Sequence, residues 1–464
     1  VSEEISRLSA TELLRHYRRR TLSPVEATKA ALARIEKLDA TYNAFCHLGA
    51  EEALAAARES EARWMKGAPL GLVDGVPTAV KDQWMVKGWP NRRGSRTTSD
   101  APATEDAPAS ARLREHGAVF VGKTTCPEFS WKGVTDSPLT GISRNPWNPS
   151  KTCGGSSGGA AIAAALGMSA LNLGSDGAGS IRMPAGFSGV FGLKPTYGRV
   201  PAYPYGAAPA TSHSGPMVRT VDDAALMMTV ITEPDPRDWL GLPWQGTDYR
   251  VGLERGVKGL KIAFSADLGY AKVDPEIAAI AAEAARVFAE LGAHVEAVDP
   301  GFADPQDVFE MFFWTGQAAT VDGVPEARRG EMDPDLLRHS EQGRRYSGVD
   351  LLKGWAKRDA LGRHMNAFHE RYDLLLTPGL PLAAFDAGRE FPEGRGCRSW
   401  FDWSPFHFPF NFTQQPAASV PCGLTAEGLP AALQIVGPRY REDLVLQASR
   451  AFESARPFVM PPVE

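Results

Sequence analysis

Near the start of the chain, apolar residues recur at helical spacing. Leu13 and Leu14, then Ala27, Ala30, Ala31, Ile35 and Leu38, supply the buried faces of two helices. Each helix has a polar start signal: Ser9 with Glu12, and Ser23 with Glu26, both fit a capping box, and Pro24 occupies the first helical position of the second. The run RHYRRR (Arg15 to Arg20) falls on the outer side of the first helix and reads as a solvated face. A third helix is predicted from about Glu51 to Met65.

The period then shortens. In PLGLVDGVPTAVKDQWMV, Val76, Val80 and Met85 sit among turn residues and predict an apolar strand that contains Lys81. Burying an ammonium is costly unless it is paired or loses its proton, so this segment taken alone favours a lysine reaching water at a strand end. A helix over Ser110 to His116 should end at Gly117, followed by a strand Ala-Val-Phe-Val. That strand disqualifies GAVFVGKT (Gly117 to Thr124) as a phosphate loop, although it fits GxxxxGK[ST]. The four variable positions of a real phosphate loop are loop, with N–H groups turned to the phosphates.

From Cys126 to Thr152 the chain turns irregular, and a long ordered loop of this kind is usually functional. A helix of tiny residues follows (Ser157 to Leu166), then a short strand (Leu171 to Gly174) and a tight turn, GSDGAGSIR. FSGVFGLKPTYGRVP and GPMVRTVDDAALMMTVI read as turns and a helix, and Pro234 to Gly259 as a connecting loop. LKIAFS, a helix from Asp274 to Leu291 and HVEAV make a strand–helix–strand unit. Gly301 to Tyr372 is mostly helical, DLLLTP (Asp373 to Pro378) is a buried strand, and Arg398 to Phe412 is strongly aromatic. Strands around Ala418 to Val420 and Ala432 to Val436 and a last helix close the chain.

Composition narrows the class. With 464 residues, 43% hydrophobic, 23% charged and a formal net charge of −5, the chain is that of a soluble globular protein with nothing to attract nucleic acid globally. The five cysteines (46, 126, 153, 397 and 422) form no CxxC pair and no metal-like cluster, which favours a reducing compartment. No window approaches a membrane span and the start lacks a secretory pattern, so a cytoplasmic location is expected, with no cofactor and no metal.

The chemistry concentrates between Cys153 and Pro184. GGSSG matches GxSxG at both Ser156 and Ser157, but a nucleophile elbow needs a strand leading in and a later histidine. NPSKTC is not a strand, and His213 stands alone in a turn. Glycine loops at a helix N-terminus could instead only cradle an anion, which leaves Ser180 and Lys81 unexplained. The third reading joins Lys81, Ser156 and Ser180. PLGLVDGVPTAVKD, NPWNPSKTCGGSSGGAA, GSDGAGSIRMPA and GLKPTYGRV, with the weaker LTPGLP and PAASVPCGLTAEGLPAALQIVG, resemble the amidase signature family in order and spacing.

Position by position, the resemblance implies that Ser180 is the nucleophile, Ser156 a bridging serine after a cis peptide bond, and Lys81 the ultimate base. Gly177, Ala178, Gly179 and Ser180 would form the oxyanion hole. Ser157 would support the serine network, and Asp176 and Arg182 would pair to hold the turn. For Lys81 to act near neutral pH its pKa must fall from about 10.4 by roughly 2 to 3 units, which burial supplies. The turn departs from the family's D-x-G-G-S: Gly177 and Ala178 stand where a larger residue and a glycine are common, and the Ala178 methyl would strain a backbone of positive φ.

The implied fold is α/β: a single large domain over 1–464, with a mixed twisted β-sheet covered on both faces by α-helices. N-terminal helices occupy 1–68, the signature core 69–220, and the rest of the sheet and the pocket loops 221–464. The implied activity is hydrolysis of apolar or aryl amides, with carbamates (urethanes) and esters as further substrates. Phe129, Ser130 and Trp131, with Met183 and the aromatic run from Trp400 to Phe412, are candidate pocket residues; core packing is the equal alternative for the aromatic run. The expected partner is a small amide or carbamate, with no nucleic acid or membrane, for a monomer or homodimer. The alternatives are a protein of the glutamine-hydrolysing amidotransferase type and a catalytically idle ligand-binding relative.

Overall fold

Both N-terminal capping boxes form. Ser9 caps the helix Ala10–Arg19 and Ser23 caps Pro24–Tyr42, each with the reciprocal glutamate bond. Arg15, Arg18, Arg19 and Arg20 are exposed, as a solvated face requires. The computed structural model describes residues 2–206 and 210–463.

An eleven-stranded mixed sheet organises the chain. In spatial order its strands are Phe45–Leu48, Val119–Thr124, Pro77–Lys81, Leu171–Asp176, His213–Val218, Phe191–Lys194, Ala417–Leu424, Pro430–Val436, Leu374–Pro378, Lys261–Phe264 and His294–Ala297. Pro77–Lys81 runs parallel to both of its neighbours, whereas the centre of the sheet is antiparallel. Apolar clusters lie on both faces: Val80, Phe120, Leu173, Val218 and Leu433 pack on one side with the helices Val221–Ile231 and Glu442–Ala455. On the other side, Ala79 and Val121 meet Ile162 of the helix Gly158–Ala165, and Met217 meets its neighbours Ala160 and Ala161. Strand alternation thus puts Lys81 on the face of that tiny-residue helix.

Five segments differ from expectation. Phe191–Lys194 and His213–Val218 are central strands, not turns, and Phe45–Leu48 is an edge strand paired antiparallel with Val119–Thr124. The central pair, FGLK and HSGPMV, is buried throughout, so neither shows the alternation of a half-exposed strand. The strand predicted to end at Gly174 continues to Asp176, and Arg182–Ser188 is a short helix beyond the turn. No helix among the described residues is long and apolar enough to cross a membrane.

The phosphate-loop match is a strand, as its apolar positions required. Val119–Thr124 is wholly buried, and Lys123 Nζ lies 2.7 Å from Asp82, with both side chains shut from solvent. Lys123→Met would leave the Asp82 carboxylate buried without its cation. It should lower stability by about 3–5 kcal/mol in urea unfolding, and the unsubstituted protein should give no binding heat with Mg-ATP in calorimetry.

Candidate active site

Lys81 ends its strand fully buried, with hydroxyl groups in place of a carboxylate. Its Nζ donates to Ser156 Oγ at 2.7 Å and to Ser175 Oγ at 2.8 Å. Burial pushes its pKa down to about 8, opposed by neighbouring Cys126 and Asp176. The Cys126 thiol is itself pushed up to about 12 by burial, so near neutral pH only Asp176 contributes an opposing negative charge. A strand-end lysine reaching water, the reading favoured by its own segment, is therefore not what the fold builds.

Ser156 follows a cis peptide bond from Gly155. Next to it, Ser157 is a brace between two segments. Its Oγ donates to Ser175 O at 3.0 Å and accepts from Ser175 N at 3.1 Å, while its N–H donates to Ser180 O at 3.1 Å.

Ser180 sits in the turn between Leu171–Asp176 and Arg182–Ser188. Asp176 and Arg182 pair across that turn with both side chains fully buried: Nε to Oδ2 at 2.9 Å and Nη2 to Oδ1 at 3.0 Å. The Arg182 guanidinium and the Asn411 amide hold the Asp176 carboxyl far below the usual carboxylate range despite its burial. Asp176 also accepts the N–H of Gly179 at 2.7 Å and of Ile181 at 3.2 Å. The N–H groups of Gly177, Ala178 and Ser180 have no acceptor among the described residues. Positive φ falls on Gly179 (φ 120), not on Ala178, so the alanine methyl meets no backbone strain.

Ser156, Ser175 and Ser180 line one narrow cavity of about 50 Å³. Gln83, Arg93, Phe129, Ser130, Phe313 and Gln317 are among its walls. A larger groove of about 450 Å³, lined in part by Tyr270, Asp304 and Arg395, contains none of these serines. Among the described residues it is the small cavity whose hydroxyls reach a buried amine, which makes it the candidate site.

The Amidase family model matches residues 26–446. The acylamidase of Rhodococcus erythropolis is 37% identical over 458 residues, covering 97% of this chain and 96% of that protein. The chain belongs to the amidase signature family. A glutamyl-tRNA(Gln) amidotransferase subunit of Moorella thermoacetica is 35% identical and 97% covered on both sides. Among solved structures, a bacterial aryl acylamidase of the amidase signature family superposes with a TM-score of 0.91 at 32% identity, covering 97% of this chain and 96% of that one. A 6-aminohexanoate cyclic dimer hydrolase in complex with substrate reaches 0.88 at 28%, covering 98% of each. This amidase is accordingly a hydrolase of carbon–nitrogen bonds in amides.

The expected pocket residues divide. Phe129 and Ser130 line the cavity, and each has positive φ (48 and 60). Left-handed backbone at a non-glycine residue costs of order 1–3 kcal/mol and clusters at functional sites. Trp131 is not in the wall. It is fully buried, donates its indole N–H to Asp333 at 3.2 Å and packs against Trp314 and His339, so it belongs to the core. The aromatic run is core too: Trp400 and Phe401 pack behind Phe313 at ring-centroid distances of 5.5 and 5.3 Å, and Phe313 is the wall. His213 is buried with Nδ1 at 3.0 Å from Asp176 O, a strand-edge contact rather than a base beside a nucleophile.

Sequence reasoning missed Ser175, Arg93, Gln83 and Gln317. Ser175 alone had a local signal, since a two-residue extension of the predicted strand carries it to the turn of Ser180. A lysine accepts a proton only when it is neutral, and Lys81 is neutral above its pKa. The kcat/KM of this amidase should therefore be low in mild acid, rise through an apparent pKa of about 8 and level off above it. A profile already flat from pH 6 upward would contradict that role for Lys81.

Proposed function

We propose that this amidase cleaves amides with an apolar or aryl body, and carbamates and esters of the same shape, through Ser180, Ser156 and Lys81 and an acyl-enzyme. The observation that carries this reading is a fully buried lysine whose hydrogen-bond partners are hydroxyls. A neutral Lys81 donates to Ser175 and keeps its lone pair for Ser156. Ser180 Oγ attacks the carbonyl carbon as its proton passes to Ser156, whose own proton passes to Lys81. The oxyanion faces the free N–H groups of Gly177, Ala178 and Ser180, each donor contributing about 2.7–4 kcal/mol in comparable sites. Gly179 takes no part in that hole, because its N–H is held by Asp176. Ser156 then returns a proton to the departing amine, or to the alcohol of a carbamate or ester, and water repeats the sequence to release the acid.

Phe129 and Phe313 in the cavity wall support an apolar or aryl body, as do relatives named for acyl and aryl-acyl amides. The amidotransferase relatives favour a second reading, hydrolysis of glutamine. Glutamine brings an ammonium as well as a carboxylate, and no carboxylate lines the cavity among the described residues. Its ammonium would enter without a charged partner among the described residues, which is costly for a buried cation.

Ser180→Ala and Lys81→Ala should each lower turnover by roughly 10⁴-fold or more while circular dichroism reports a folded protein. A fluorophosphonate should label Ser180 in peptide mass analysis, and the purified chain should prefer an anilide or aryl carbamate to a primary fatty amide and to glutamine. Full activity in either variant, labelling at Ser157, or a preference for glutamine would overturn this reading.

A further inference from the structure

Arg93 lines the same cavity as Ser156, Ser175 and Ser180, yet its guanidinium has no counter-ion and no hydrogen bond among the described residues. Among the described residues it lies over the Phe129 ring, 5.0 Å from Cζ to the centroid, and its Nε is shut from solvent without an acceptor there. Neighbouring carboxylates are already engaged. Asp82 pairs with Lys123 at 2.7 Å and accepts the N–H groups of Arg92 and Gly94 at 3.2 and 3.1 Å. Glu128 accepts from Ser95 Oγ at 2.5 Å and from the Asp333 N–H at 2.6 Å.

Two amide side chains stand in the same wall. Gln317 is buried with its Oε1 unpartnered. Gln83 accepts from Ser130 Oγ at 3.1 Å, and its amino group donates to no described residue. An amide can be turned to present either oxygen or N–H, so both can donate to an incoming oxygen. The backbone at Arg93 has φ 53, a region where the adjoining Gly94 (φ 67) is at ease and an arginine is not. The chain keeps an arginine in this strained position, in contact with the reaction cavity.

We infer that Arg93, with Gln83 and Gln317, receives a carboxylate carried by the substrate, so that preferred substrates are apolar or aryl amides bearing one carboxylate away from the scissile bond. This rests on the proposed amide hydrolysis at Ser180 and narrows its substrate class. A guanidinium matches a carboxylate through two parallel charge-assisted hydrogen bonds, which a neutral body cannot supply. In the free enzyme the partly buried cation lacks an anion. A substrate carboxylate satisfies it, and a substrate without one leaves it unmet.

The test uses two matched pairs on the full chain: acetanilide with 4-acetamidobenzoate, and butyranilide with succinanilate, which place the carboxylate on the amine and acyl sides respectively. In one pair the carboxylate member should have the higher kcat/KM, by about 10- to 100-fold. Arg93→Met keeps the apolar stem against Phe129 and should cut that preference ratio by tenfold or more, while Arg93→Lys should restore part of it. If Arg93→Met does not fold, the unsubstituted protein's preference still decides. Preference for the neutral member in both pairs, or a ratio unchanged in folded Arg93→Met, would overturn the inference while leaving amide hydrolysis intact. No turnover of any of the four, together with no phosphonate label on Ser180, would instead sink the hydrolase reading beneath it.

Discussion

A primary amine shut away from water with hydroxyls for partners is the constraint on which the rest of the site depends. Two buried lysines on neighbouring strands make the point. Lys81 and Lys123 sit one register step apart, Val80 opposite Lys123 and Lys81 opposite Thr124. Lys123 has the Asp82 carboxylate at 2.7 Å, whereas Lys81 has Ser156 and Ser175. Asp82 directly follows Lys81, so a pairing between them is the obvious hazard. The carboxylate is instead held by Lys123 and by two backbone N–H groups. Turned towards Lys81, Asp82 would hold it charged and remove its lone pair. The ion pair with Lys123 thus holds the Asp82 carboxylate away from the buried amine of Lys81.

The turn that carries Ser180 answers the opposite problem, a full ion pair taken out of water. Such a pair is tolerable only when its remaining donors and acceptors are filled. Arg182 gives its other N–H groups to His407 O at 3.1 Å, Gln434 Oε1 at 2.8 Å and Asn411 Oδ1 at 2.6 Å. Asn411 in turn donates to Asp176 Oδ1 at 2.9 Å and to Asp176 O at 3.1 Å. The turn carrying Ser180 is therefore fixed by residues more than 200 positions further on, in the aromatic segment and the strand Pro430–Val436. That is a structural reason for the length of the chain: the C-terminal part of the sheet is the abutment for a turn formed early in the sequence.

How much of this could be read beforehand follows from how local each signal is. Helix starts were legible because a capping box involves four consecutive residues, as at Ser9 and Ser23. Lys81, Ser156 and Ser180 were legible through the resemblance, since their glycine-rich surroundings are distinctive. The central strands at Phe191 and His213 were not, because strands buried on both faces lose their period and these two contain Gly192, Gly215 and Pro216. Trp131 is adjacent to two wall residues yet faces the core, a difference that no spacing of consecutive loop residues encodes. Arg93 was illegible for a related reason. In the sequence it is one arginine of NRRGSR, and only the fold reveals that its neighbour Arg92 pairs with Asp100 while Arg93 has no counter-ion among the described residues at the cavity.

Ala178 shows how an alteration in the turn is absorbed. The position that cannot accept a side chain is Gly179, where a Cβ would lie 2.6 Å from His407 Cβ and where φ is 120. One residue earlier the methyl is buried in the same apolar cluster as Phe129, Met183 and Phe408. It therefore adds apolar mass beside the wall instead of strain within the backbone. Ala178 thus belongs to the same apolar cluster as Phe129, and that ring lies against the Arg93 guanidinium. Through this contiguous packing, the turn that carries Ser180 and the Arg93 guanidinium are joined through one wall of the cavity, so a change in what Phe129 touches bears on both.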